Sequence, residues 1–479
     1  MKSMHPFSFA AVLLLSSLQG AFATTSISAS CAVAPAVPAP PSGATVLPRS
    51  SGGDDTALIQ QALKGLKSGD SLVFQPATYN ISKHLVLNVS AVTLFGNGAT
   101  IHATNPTDGA LMIEGDNVRV YGFTFTQDVT TRQTTPWAGG ISVISYNTDT
   151  SARRITGSII QNNVFTNTAG GIFLDKVSMF TVANNTVYRT LADGIHMTAG
   201  SSNGRVIHNT VSQNGDDMIA VVSYAGNRAG TTLAQQYANW GAQQDELDQN
   251  IYIGQNTVSD NYWGRGISVV GGSNITIESN NISKTSIGAG IYLTRETSYL
   301  TFGDQNIFVD NNVVSQVQTE PATYKPAGFS GVPTHQGAIE VAAQMTDAEY
   351  AVPQYRSAFS VVNVALIGNT VQNAKYAGIR LGMYSPPNTV NTISVIGDAL
   401  DNVENNGVIQ PQAGLAASAI SCSGNTYDGA NWGANCATAI APITANYAIT
   451  GASLQCDQNG LIASSTDSRS LPPSNLTVQ

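Results

Sequence analysis

The chain has 479 residues, of which 21 are Lys or Arg and 30 are Asp or Glu, a formal net charge of −9. Charged residues make up 11%, against roughly 25% in an ordinary soluble domain, and no basic run is present, which argues against a nucleic-acid partner. A length well beyond ~250–300 residues calls for several domains unless the fold grows in one direction by adding units.

The first 23 residues read as a signal peptide. Lys2 supplies the positive start, Phe7 to Leu18 the short apolar run, and Ala21-Phe22-Ala23 the cleavage site before Thr24. The run is too short to span a bilayer, and no later stretch is long enough. The expectation is a secreted or periplasmic, membrane-free monomer. Its four cysteines, Cys31, Cys422, Cys436 and Cys456, suit two disulfides, Cys422 with Cys436 and Cys31 with Cys456. Their spacing does not suggest zinc.

Residues 24–50, rich in Ala, Pro and Ser, read as a linker. Apolar residues at 58, 59, 62, 63 and 66 then mark a short amphipathic helix with Asp54 or Asp55 as its N-cap. Short strands follow at Ser71–Phe74, His84–Leu87 and Val92–Leu94, with a turn at Gly96-Asn97-Gly98.

Beyond this point a phrase recurs. Its central isoleucines are Ile141, Ile172, Ile195, Ile219, Ile267, Ile291, Ile339 and Ile379, spaced by 31, 23, 24, 48, 24, 48 and 40 residues. The short gaps define a unit of about two dozen residues; each long gap is one unit with an insertion, or two units. A second landmark, Asn163, Asn185, Asn209, Asn256, Asn281 and Asn369, runs about ten residues ahead, and Asn312 shares the context. Periods of 20–50 residues signal stacked repeats. Each unit is short apolar alternations between Gly, Asn and Ser turns, the pattern of one coil of a parallel β-helix with strands stacked ~4.8 Å apart. The asparagines then form a hydrogen-bonded ladder inside one bend. The expected fold is an all-β, single-stranded right-handed parallel β-helix over 51–405 with a short N-terminal capping helix. Residues 406–479 would hold terminal coils, a cap and a disordered tail from Ser464.

Insertions at 225–250 (Tyr237, Trp240, Asp245, Glu246) and 316–336 (Tyr324, Phe329, His335) are expected to wall a groove, and the irregular stretch 127–138 carries Arg132 and Trp137.

Stacking sets the residues after each isoleucine in a column: Ser142, Phe173, His196, Ala220, Ser268, Tyr292, Glu340, Arg380. The column two before it reads Gly139, Gly170, Asp193, Asp217, Arg265, Ala289, Gly337, Ala377. Asp193 and Asp217 therefore sit on neighbouring coils, with Asp216 beside Asp217. Three clustered carboxylates do not all ionise easily, so one is available as a general acid and another as a base, the division that glycoside hydrolysis needs. The alternative is a pair of turn aspartates capping amides or holding calcium. His196, Arg265, Tyr292, Arg295, Glu340 and Arg380 are candidate substrate-binding residues: the cations for an acidic group, the aromatic ring for a sugar face. Trp263 and Trp240 would stack on sugars or pack under loops. No metal or cofactor is called for, and the partner is a polysaccharide.

Gly215-Asp216-Asp217-Met218-Ile219-Ala220-Val221 resembles the Gly-Asp-Asp-Cys-Ile-Ala-Val motif of polygalacturonase-like glycoside hydrolases, and Ala192-Asp193-Gly194-Ile195 resembles their Asn-Thr-Asp-Gly motif. The helix after Asp54-Asp55-Thr56 and the turn at 96–101 are similar to the opening of the pectin lyase-like superfamily. The resemblance implies a right-handed β-helix with Asp193, Asp216 and Asp217 as an inverting acid and base set. Two departures stand out. Gly264-Arg265-Gly266 replaces the family's Gly-His-Gly, and Tyr292-Leu293-Thr294 replaces its Arg-Ile-Lys. The cations that hold galacturonate in that family are thus missing, which points away from plain galacturonan. Two rival functions remain: a lyase or C5-epimerase on a uronic-acid polymer, and a non-catalytic carbohydrate-binding stack.

Overall fold

The structure, a computed structural model, describes residues 31–145, 153–238, 247–403, 409–411, 420–423, 425–427 and 430–431. The signal-peptide segment, Trp240, Asp245, Glu246, Cys436, Cys456 and the last residues from Ser464 lie outside them.

Three long sheets, parallel except for one terminal pairing, run from Thr45 to Asn431 of the described residues, and a typical coil contributes one strand to each. One complete coil is Ser202–Ile207 in the first sheet, Thr210–Ser212 in the second and Ile219–Val222 in the third. This is the expected right-handed parallel β-helix. Ile219 pairs in register with Ile267, Ile291 with Ile339 and Ile339 with Ile379, so every long gap is one coil with an inserted loop. The repeat isoleucines point inward; seven of the eight are 0% exposed and Ile172 is 2%. Burying such a side chain contributes about 1.5–3 kcal/mol, and stacked identical residues keep the register from slipping.

The bend between the first and second sheets is built by the asparagine ladder. Asn163 Nδ2 donates to Asn185 Oδ1 at 3.1 Å, Asn185 to Asn209 at 3.0 Å and Asn209 to Asn256 at 3.0 Å. The next rung is Asn280, not the expected Asn281, which is exposed at the start of a strand. Asn312, Asn369 and Asp398 continue it. The residue before each rung is left-handed, with φ from 53° at Asn311 to 67° at Gly397. That conformation costs a non-glycine residue about 1–2 kcal/mol; the ladder offsets it by satisfying amides that the bend buries.

The helix Thr56–Gly65 closes the N-terminal end, burying Ile59 and Leu63. Asp55 is its N-cap residue, but the neighbouring Asp54 accepts the Thr56 N–H at 2.9 Å. Residues 31–50 are not a free linker. Thr45–Val46 pairs with Leu72–Val73 as an extra parallel strand, and Leu47 is buried. Arg205, fully buried, donates to the carbonyls of Cys31 and Val33, tying the segment across the first sheet. Cys31 is buried against Ala183, Ile207 and Tyr252, and neither Cys31 nor Cys422 is a free thiol; their expected partners lie outside the described residues.

Candidate active site

The third sheet carries the site. Its pairing reproduces the column expected from the repeat: Ser142 beside Phe173, then His196, Ala220, Ser268, Tyr292, Glu340 and Arg380. Because side chains alternate along a strand, the column faces outward while the isoleucines face in.

Asp193, Asp216 and Asp217 come from the turns that enter this sheet on two adjacent coils. One carboxylate oxygen from each lies within 4.8 Å of the others. Two glycines make this crowding possible. A Cβ on Gly215 would meet Tyr262 Oη at 2.4 Å and the Leu191 carbonyl at 2.6 Å, and one on Gly264 would meet the Asp216 carbonyl carbon at 2.3 Å. Only glycine lets the turns pack this tightly. Asn261 pins them, its Nδ2 donating to the Asp216 carbonyl at 2.5 Å and the Arg265 carbonyl at 3.2 Å.

Asp217 is the most buried of the three acids, 6% exposed. It accepts from Ser268 Oγ at 2.6 Å and from the Arg265 backbone N–H at 2.9 Å. Burial pushes its carboxyl above the usual carboxylate range, helped by Asp193 and Glu296; the Arg265 charge and Ser268 oppose the rise. Asp216 is ion-paired with Arg132. Asp193 Oδ2 lies 2.9 Å from His196 Nδ1, and the His196 ring stacks on Phe173 with centroids 5.1 Å apart. One coil earlier, Asp175 leaves the same sheet face beside Thr198. Burial pushes its carboxyl up to about 6 against the pull of His196 and Lys176.

Arg265 is held at 2.5 Å by Glu296 and lies 3.6 Å from Asp217. Burial opposes its charge, but Glu296 and Asp217 keep the guanidinium protonated. Its guanidinium also covers the Tyr292 ring at 4.2 Å. Tyr292 is therefore 1% exposed, closed to sugar stacking, and burial raises its hydroxyl. Further along, Glu340 pairs with Arg380 at 2.7 Å; burial lifts the Glu340 carboxyl to about 7 despite that partner.

Arg295 is a correction to the expected set. Its side chain is fully enclosed away from the three acids, bidentate to Glu349 at 2.6 and 3.0 Å, bonded to Tyr237 Oη and stacked on Phe359. It joins the insertion after Val222 to the one after Ala343 and does not reach the groove. Tyr237, expected on a groove wall, is buried in the same cluster.

The site is bounded by loops from both directions along the stack. The 127–138 loop sends Arg132 forward to Asp216 and over the Trp263 ring, 5.1 Å from its centroid. The 316–336 loop comes back to meet it. Phe329 packs edge-on against Tyr262 and Trp263, Tyr324 lies under Arg189, and Thr323 binds Asp260. Trp263 thus packs between two loops.

Sequence reasoning placed the three acids, His196 and Arg265 together. It missed Arg132, Glu296 and Asp175 as partners, and Ser268 stood in the outward column without a role. In a chain with 11% charged residues, acids next to repeat strands were the available signal. The three carboxylates also have the spacing of a divalent-cation site, although Arg132 and Arg265 already face two of them.

This fold and this crowded outward column define a parallel β-helix with a carboxylate site on one sheet. A family model described as a right-handed β-helix region matches residues 79–233. Among solved structures, the A-module of a mannuronan C-5 epimerase from Azotobacter vinelandii is similar at 13% identity, TM-score 0.52, over 78% of this chain and 95% of that one. The catalytic domain of a GH87 α-1,3-glucanase in complex with nigerose is similar at 15% identity, TM-score 0.57, over 84% and 71%. The GH87 α-1,3-glucanase catalytic unit from Streptomyces thermodiastaticus is similar at 16%, TM-score 0.50, over 85% and 72%. No curated protein matches the chain. At these identities the likeness is one of fold, a right-handed β-helix.

Proposed function

We propose that the protein is an exported glycoside hydrolase that cleaves a polysaccharide with Asp217 as general acid and Asp216 as base. The observation that carries this reading is the convergence of three carboxylates within 4.8 Å, one of them buried and pushed toward its neutral form. Asp217 gives its proton to the glycosidic oxygen as the bond to the anomeric carbon breaks. Asp216, facing Arg132, takes a proton from the water whose oxygen bonds that carbon. Asp193, paired with His196, completes the set. The solved neighbours include glucanases, which supports a polysaccharide substrate. Inversion rests on the resemblance to polygalacturonase-like enzymes alone. The closest oxygens are nearer than the ~6.5–9.5 Å that separates an ordinary inverting pair, so the anomeric form of the first product, read by NMR, decides it.

The sugar is read as uncharged. The two arginines beside the acids each face an acid, Arg132 with Asp216 and Arg265 with Glu296, and Arg380, further along the sheet, is buried against Glu340. A uronate would have to compete with those carboxylates for a cation. The lyase or epimerase reading needs such a cation and a base near C5; His196 beside Asp193 is the observation in its favour.

The test is digestion of a glycan panel with reducing-end and ultraviolet readouts, run with Asp217→Asn and Asp193→Asn variants shown to be folded. New reducing ends without an unsaturated product, lost in both variants, are expected. Full activity in both variants, or ultraviolet absorbance instead of hydrolysis, sinks the reading.

A further inference from the structure

A β-helix that binds the interior of a polymer needs an open cleft along its outward column. Here the column is covered on both sides of the acids. On the C-terminal side, Tyr292, Thr294, Glu340 and Arg380 face outward from the third sheet and are buried, as is Ala289 in the turn that enters it. The covering groups are visible: Arg265 lies across Tyr292, and Gln344 Nε2 donates to its hydroxyl at 3.2 Å. Gln336, from the returning loop, accepts the Ala289 N–H at 3.0 Å. Arg380 fills the space over Glu340. On the N-terminal side, the 127–138 loop lies down on the column, and Ser142 Oγ donates to the Pro136 carbonyl at 2.5 Å, leaving Ser142 1% exposed.

Between these blocks the column itself is buried at His196, Ala220 and Ser268, and the surface that stays partly exposed is formed by Phe173, Asp175 and, from the turns above it, Asp193, Asp216 and Arg265. They span four neighbouring strands of the third sheet, about 14 Å at ~4.8 Å per coil. Arg132, Trp263 and Phe329 close one flank.

We infer that the site is a short pocket, closed along the stack at Ser142 and at Tyr292, and that it acts on the ends of glycan chains rather than on their interior. A polymer threading through would have to lift Arg265 from Tyr292 at one end and Pro136 from Ser142 at the other. Both contacts are built from groups already satisfied, so substrate binding does not repay opening them. A chain end enters from above, placing its terminal linkage over the acids. This inference rests on the hydrolase reading.

The experiment uses the full mature chain and the glycan that it cleaves in the panel. Product sizes are followed with time on the long polymer, together with viscosity. One or two small saccharides from the first time point are expected, with viscosity falling only in step with new reducing ends. The same glycan with chemically blocked termini should be cleaved at least tenfold more slowly. A ladder of intermediate oligosaccharides, an early collapse of viscosity, or undiminished cleavage of blocked chains overturns the closed pocket while leaving the hydrolase reading intact. Absence of new reducing ends from every glycan overturns the hydrolase reading itself.

Discussion

Arg265 approaches Asp217 twice, through its backbone N–H at 2.9 Å from Oδ1 and through its guanidinium at 3.6 Å from the same oxygen. One residue thus supplies both a fixed dipole and a charge that work against the effect of burial on this acid. Hydrogen bonds and opposite charges favour the ionised carboxylate, and burial favours the neutral one. Asp217 is balanced between them, with burial prevailing.

That balance predicts the direction of a pH shift. Ser268 Oγ donates to Asp217 Oδ2 and favours the ionised form. Removing it with Ser268→Ala raises the Asp217 carboxyl further. A general acid must be protonated to work, so activity falls as pH rises through its ionisation. In Ser268→Ala the alkaline limb of kcat/KM therefore moves to higher pH. A limb that stays put or moves down would show that Asp217 is not the acid.

Arg295 and Glu349 make a prediction about stability instead. Burial raises the Glu349 carboxyl, but the hydrogen bonds and charge of Arg295 outweigh it and hold the group low. Arg295→Met leaves that carboxylate buried without its partner, a loss of about 3–5 kcal/mol. The double variant Arg295→Met with Glu349→Leu should recover most of it. Thermal melts of the three proteins check this. Activity per folded molecule should be unchanged in the double variant, because Arg295 does not reach the acids; a selective loss of kcat would return it to the site.

The contrast between Asp217 and Arg295 shows how far the sequence reached. Stacked coils fix the register, so any residue at a set offset from a repeat isoleucine has a known neighbour and a known face. Asp193, Asp217, Arg265, Ser268 and Tyr292 were legible for that reason. The ladder was legible too, apart from the slip from Asn280 to Asn281, two adjacent asparagines that no spacing argument separates. The loops obey no period. Arg132 reaches Asp216 across 84 positions, and Arg295 turns aside because Glu349 and Tyr237 from two insertions converge on it. Such contacts depend on loop paths that composition and spacing do not encode.

Chelation separates the hydrolase from a reading in which the three acids hold a cation. Acid and base chemistry by Asp217 and Asp216 needs no metal. Dialysis against EDTA, with the activity and the thermal midpoint measured before and after, should change neither. Loss of activity restored by calcium would assign Asp193, Asp216 and Asp217 to a cation instead.

Asp398 supplies the last prediction. It occupies a rung where the ladder otherwise uses asparagine, accepting from Asn369 N at 2.6 Å and Nδ2 at 2.9 Å through Oδ1. In asparagine rungs the Nδ2 donates to a carbonyl of the first sheet one coil back, as Asn369 does to Val309 and Asn425 to Val395. Asp398 Oδ2 stands in that place and has no partner among the described residues. A protonated carboxyl imitates the amide, and burial pushes its ionisation up to about 7. The unfolded chain ionises near ~3.9. The folded state therefore holds a proton that the unfolded state has lost. The stability from this group is fully present below that unfolded value and disappears as pH rises through about 7. Asp398→Asn restores the donor at every pH, so it should stabilise the protein at pH 8 by about 1–3 kcal/mol, the cost of an unsatisfied buried polar group. At pH 4 the gain should vanish. Denaturant midpoints of both proteins at the two pH values measure it, and an equal gain at both would mean that Asp398 is not the titrating rung.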